Sequence, residues 1–153
     1  MNRQILKWGL GLTLCLAFSI GYGDEIWVVT GHETVIKNLN NKQLENIFLR
    51  KSILNEDGMT WIPLNLNPEN PIRQAFSQTL LHRSPDILES YWNEQYFHGI
   101  TPPYVVASEE AMLRFVTGTP GAIGYILPCH LDKRVKVAFK LPTQFELKTY
   151  CKK

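Results

Sequence analysis

Residues Trp61 to Phe76 read WIPLNLNPENPIRQAF, a strand, a turn and a helix start in sixteen positions, and the rest of the chain arranges itself around them. Trp61, Ile62, Leu64 and Leu66 form a short apolar run of strand-forming residues, and Asn67-Pro68 stops it. Asn70 is a good N-cap, and Pro71 suits the first helical turn, where its missing N–H costs nothing. Beyond it Ile72, Ala75, Phe76, Thr79 and Leu80 recur at three- and four-residue spacing, which predicts a helix with one face buried against a sheet. A helix entered this way points unsatisfied N–H groups and about half a positive charge beyond the strand's end, and Arg73 stands in its first turn. An anion is favoured there. In an ordinary strand-helix unit the same arginine is a solvated surface charge that adds little to stability.

Outward from this stretch the pattern alternates. Glu25 to Thr30 predicts a first strand, and Asn40 to Arg50 a helix capped by Asn40 or Asn41, with Leu44, Ile47 and Phe48 inward and Arg50-Lys51 complementing its C-terminal dipole. Ser84-Pro85 opens another helix whose stripe of Ile87, Leu88, Tyr91, Trp92 and Tyr96 reads as core packing. A short strand follows at Tyr104 to Val106. Ser108 then caps a helix carrying Glu109 and Glu110 in its first turn, Ala122 to Leu127 is the next strand, and Val135 to Lys140 alternates apolar and wet residues as an edge strand does. This order predicts a single α/β domain, a mixed sheet with helices on both faces. Ligands of such sheets sit beyond the carboxyl ends of strands, which nominates the loops Gly31 to Asn40, Asn67 to Pro71 and Ala107-Ser108.

The N-terminus has the pattern of a secretory signal peptide over residues 1–23. Arg3 and Lys7 lie before an apolar run from Leu10 to Ile20, and Gly21-Tyr22-Gly23 supplies small residues at a cleavage site before Asp24. The apolar run is shorter than the roughly 20 residues a bilayer span needs. The mature domain is then 24–153, in the periplasm. Without Arg3 and Lys7 the 16 basic residues fall level with the 14 acidic ones, so no basic excess of a nucleic-acid binder remains. The basic C-terminal end, from Lys133 to Lys153, reads as a solvated tail. Of three cysteines, Cys15 leaves with the leader, and Cys129 and Cys151 are expected to pair in an oxidising compartment. The four histidines show no helical metal-binding spacing, the serines show no nucleophile elbow, and the acidic pairs Glu56-Asp57 and Glu109-Glu110 fit a turn and a helix start. No reaction, metal or cofactor is specified, which points away from an enzyme.

Several segments together resemble the periplasmic phosphate-binding proteins of ABC transporters, in the type 2 periplasmic-binding-protein superfamily. They are LENIFL at Leu44 to Leu49, GMTWIPL at Gly58 to Leu64, Arg73-Gln74-Ala75-Phe76, Tyr91-Trp92 and TPGAIGY at Thr119 to Tyr125. The resemblance runs through most of the mature chain in order. It implies one periplasmic-binding-protein-like lobe, a short single-lobe form, and no stable membrane insertion. It further implies binding of a small oxyanion such as phosphate by helix N-termini, Asn70, Arg73 and Ser108, with an ABC transporter or another envelope protein as partner. Where that family enters the helix through a Ser-Gly-Thr loop, this chain has Pro68-Glu69-Asn70-Pro71. The alternative is a non-enzymatic envelope scaffold that has lost ligand binding and docks through the former cleft. N-terminal sequencing of exported protein should find a start near Asp24; an intact Met1 would refute the leader.

Overall fold

The computed structural model describes residues 24–37 and 39–151. The leader read at Met1 to Gly23 and the last two lysines of the basic end lie outside them. The elements are β1 (Glu25–Thr30), α1 (Asn41–Phe48), β2 (Ile62–Leu66), α2 (Pro71–Leu81), α3 (Pro85–Tyr96), β3 (Tyr104–Val106), α4 (Glu109–Gly118), β4 (Ala122–Ile126) and β5 (Lys136–Pro142). Their order matches the expected alternation. Asn40 proves to be the cap of α1, in a reciprocal pair: its Oδ1 accepts from Gln43 N at 2.9 Å while Gln43 Oε1 accepts from Asn40 N at 3.0 Å. Arg50, expected to serve the dipole of α1, instead takes a left-handed φ of 59° and donates from Nη1 to the Trp61 carbonyl at 2.8 Å. It fastens the end of α1 to the start of the Trp61 strand.

The five strands lie in the order β3-β2-β4-β1-β5. β2 runs parallel to β3, with Leu64 opposite Tyr104, and to β4, with Ile62 opposite Ala122. β1 is antiparallel to both its neighbours, with Val29 opposite Gly124 and Ile26 opposite Leu141. The sheet is therefore mixed, and β5 is an edge as its alternation implied. One expectation changes with the direction of β1. Its carboxyl end lies at the opposite end of the sheet from those of β2, β3 and β4, so Gly31 to Thr34 meet Gly118 to Pro120 rather than the α2 entry.

Helices cover both faces, and β4 shows how. Gly124 faces α4: a Cβ there would collide with the Met112 side chain. Tyr125, one residue on, faces the other way and stacks on Phe76 of α2 with centroids 3.8 Å apart and planes 10° from parallel. Phe48 of α1 meets the edge of Phe76 at 4.7 Å. Each of these fully buried rings contributes on the order of 1.5–3 kcal/mol by area alone. Gly121, at φ 79°, turns the chain where a Cβ would strike the Thr60 carbonyl oxygen. The TPGAIGY segment is thus a turn, a contact with α4 and an aromatic anchor in succession. The stripe on α3 departs from expectation: Leu88 is buried, Tyr91 and Trp92 are half-buried, and Ile87 and Tyr96 are exposed. α3 packs on α2 at the margin of the domain and leaves part of its aromatic surface to the solvent.

Cys129, in a 3-10 turn after β4 (Pro128–His130), is bridged to Cys151 with Cα atoms 5.8 Å apart. The segment after β5 is also held by Asp24, whose carboxylate accepts from Leu147 N and from Lys148 N and pairs with Lys148 Nζ at 3.4 Å. The basic C-terminal region is accordingly more than a solvated tail. Arg134 pairs with Glu110 at 2.7 Å and with Asp132, and Lys140 lies 4.6 Å over the Trp27 ring. The Glu110 carboxyl, at the surface, is drawn down to a pKa of about 2 by hydrogen bonds from Arg134 and Arg114. Replacing both Cys129 and Cys151 by Ala should lower unfolding free energy by about 3 kcal/mol, the chain-entropy value for a loop of separation 22. Denaturant unfolding under matched conditions measures it, and an unchanged midpoint would contradict the tie.

Candidate anion-binding site

Because β2, β3 and β4 are parallel, their carboxyl ends come together, and α2 and α4 begin there on opposite faces of the sheet. The two helix starts differ in charge. α4 carries Glu109 and Glu110 in its first turn, and Glu109 accepts from Leu127 N and from His130 Nδ1 at 2.8 Å. Its positive end is already met by side chains of the chain itself. α2 has no acidic residue in its first turn, so its dipole remains available to an external anion.

Arg73 does not stand in solvent. It is 7% exposed, and its Nε and Nη1 find no hydrogen-bond partner among the described residues. One turn along the same face, Ser77 is also buried with an unpartnered hydroxyl. The guanidinium lies by Tyr125, whose Oη accepts from Leu66 N at 3.2 Å and donates to Asn65 Oδ1 at 3.4 Å. Burial pulls the arginine's pKa below its usual value, with the Tyr125 oxygen partly offsetting this; burial likewise pushes Tyr125 up to about 12. An arginine nevertheless keeps its charge at neutral pH. A desolvated cation with idle donors is costly, and an oxyanion that accepts from those donors relieves the cost.

Arg73 lines a cleft of about 470 Å³ bounded by the α2 entry, the first turns of α3 and the strand entering β3. Asn65 and Trp92 line it too, as do Glu69, Asp86 and Glu89. Of the three residues nominated by sequence, Arg73 alone is on this cleft. Asn70 caps α2, its Oδ1 accepting from Ile72 N at 2.9 Å, and Ser108 caps α4, its Oγ accepting from Ala111 N at 3.1 Å. Ser108 and Arg73 thus serve helices on different faces. Sequence reading passed over Asn65, although a buried amide inside an apolar strand is an anomaly that invites a role. Trp92 was assigned to the core and Tyr125 to the fold, since periodicity does not say which side of an aromatic ring meets a cleft.

No family model matches the chain, and no curated protein matches it. Solved structures do. The fold is similar to that of an ABC-type phosphate transport receptor from Vibrio cholerae, with TM-score 0.61 and 19% identity over 74% of this chain and 45% of the receptor. It is similar to that of a putative phosphate ABC transporter substrate-binding protein with bound phosphate from Clostridium perfringens, with TM-score 0.61 and 18% identity over 74% and 44%. PstS from Borrelia burgdorferi gives 0.54 and 18% over 70% and 42%. The fold is therefore a mixed five-stranded α/β sheet with helices on both faces, like part of these proteins, and the chain spans less than half the length of each of them. Among the described residues no helix is long and apolar enough to cross a membrane.

The burial of Arg73 reverses one expectation about stability. Arg73→Met keeps most of the side-chain volume while removing an unpaired buried charge, so without ligand the variant should be more stable by about 1 kcal/mol or more. Urea unfolding in anion-free buffer checks this. A loss of stability of comparable size would show the guanidinium to be a structural element.

Proposed function

We propose that this protein is a solute-binding lobe for phosphate or a related small oxyanion, serving an ABC-type transporter on the outer side of the inner membrane. One observation carries the reading: a desolvated Arg73 whose Nε and Nη1 have no partner among the described residues lines a cleft beside a helix with no acidic residue in its first turn. That combination suits binding, since a fixed buried charge with idle donors holds an anion without further chemistry. The likeness to two structures described as phosphate transport proteins supports the choice of anion. In this reading Arg73 is the anchor, and the N–H groups of the first turn of α2, shaped by the Asn70 cap, supply further donors. Ser108 is left to its helix, because Glu109 already occupies the neighbouring N-terminus.

Titration calorimetry against phosphate and sulfate at low ionic strength is the test. Binding is expected, and Arg73→Gln should weaken it by about 1.5–3 kcal/mol, the value of a charge-assisted hydrogen bond. Absence of heat with every anion, or equal affinity in the variant, would overturn the reading. The envelope-scaffold alternative would then gain weight, favoured by Phe97, 87% exposed, and by Tyr96 and Tyr104, which also face solvent.

A further inference from the structure

The cleft that holds Arg73 is lined by more negative charge than positive. Glu69, Asp86 and Glu89 border it, Arg73 is its one basic lining residue, and none of the three carboxylates is ion-paired among the described residues. If neutralising the arginine were their task, they would be expected to sit against its idle Nε and Nη1, and they do not. The guanidinium is buried while Glu69, Asp86 and Glu89 are exposed, so the cation is at the floor and the acids are at the rim. A bare phosphate would meet one positive group below and three negative ones around it. A ligand of both signs turns that rim from repulsive to attractive. Trp92, half-buried in the same wall, adds an aromatic surface of the kind that favours an ammonium group.

We propose that the Arg73 cleft takes a small zwitterion, an oxyanion headgroup carrying an ammonium group a few bonds away, with the oxyanion on Arg73 and the ammonium among Glu69, Asp86 and Glu89. This rests on the reading of Arg73 as an anion anchor and narrows it. The volume of about 470 Å³ is within the range of small-molecule sites. The acids act as the specificity filter: they set which oxyanion is retained rather than whether one binds.

Calorimetry with phosphoethanolamine, ethyl phosphate and inorganic phosphate tests it, because the first two differ in the ammonium group. The wild-type protein should prefer phosphoethanolamine to ethyl phosphate by about tenfold at low salt. In an Asp86→Asn/Glu89→Gln double variant the preference should shrink to less than about threefold, with ethyl phosphate binding more tightly than before. Both positions are exposed, and thermal melts confirm that the variant is folded. Equal or tighter binding of ethyl phosphate and phosphate by the wild type would overturn the zwitterion while leaving the anion site standing. Silence with all three ligands, with Arg73→Gln indistinguishable from wild type, would remove the anion site itself. Co-sedimentation with phosphatidylethanolamine vesicles separates the free zwitterion from the same headgroup on a lipid. Vesicle binding that free phosphoethanolamine does not compete away would overturn the proposal.

Discussion

Tyr125 joins the parts of this domain. Its ring lies flat on Phe76, which fixes α2 against the sheet, and its hydroxyl takes the Leu66 N–H and reaches Asn65 at the point where β2 gives way to the loop. A phenol placed there satisfies a backbone donor at the strand's end, where the ladder can no longer do so. The placement depends on the residue before it. Gly124 lets α4 close on the other face of β4, and with that face shut the neighbouring side chain has one direction left. The two helical layers are therefore coupled through two adjacent residues of a single strand.

The same coupling explains why an arginine can be buried at all. A helix docked only by an apolar stripe would leave Arg73 beside the stripe, at the waterline. Here α3 packs on α2, and α2 buries Arg73 and Ser77 as well as Ile72, Ala75, Phe76, Leu80 and Leu81. Desolvating a guanidinium without a partner costs free energy, and such costs concentrate where function requires them. The α4 terminus illustrates the opposite arrangement, with Glu109 answering both the helix end and His130. One helix start is answered by an acid of its own first turn; the other has none in its first turn and opens beside a cleft.

Local sequence sets the list and order of elements. Caps, prolines and hydrophobic periods act within a few residues, and each of the nine helices and strands among the described residues was legible from such local physics: Asn40 with Gln43, Asn70 with Pro71, Ser108 ahead of Glu109, Val135 to Lys140 alternating. The disulfide was legible for a different reason, since two cysteines left in an oxidising compartment have few other fates. The cation at the α2 entry was visible too. Its environment was not.

Tertiary structure alone decided the direction of β1, the burial of Arg73 and the company it keeps. β1 meets β4 from nearly a hundred residues away, and a run such as EIWVVT suits either orientation, so the loop after it could be assigned to either end of the sheet. Arg73 lies next to an apolar stripe, and only the packing of α2 into the domain determines whether its side of the helix is wet. Glu69, before α2, shares a cleft with Asp86, Glu89 and Trp92 of α3 because those two segments pack together. Local interactions choose the elements; the faces they leave over, and what those faces enclose, depend on long-range packing that no short window of sequence contains.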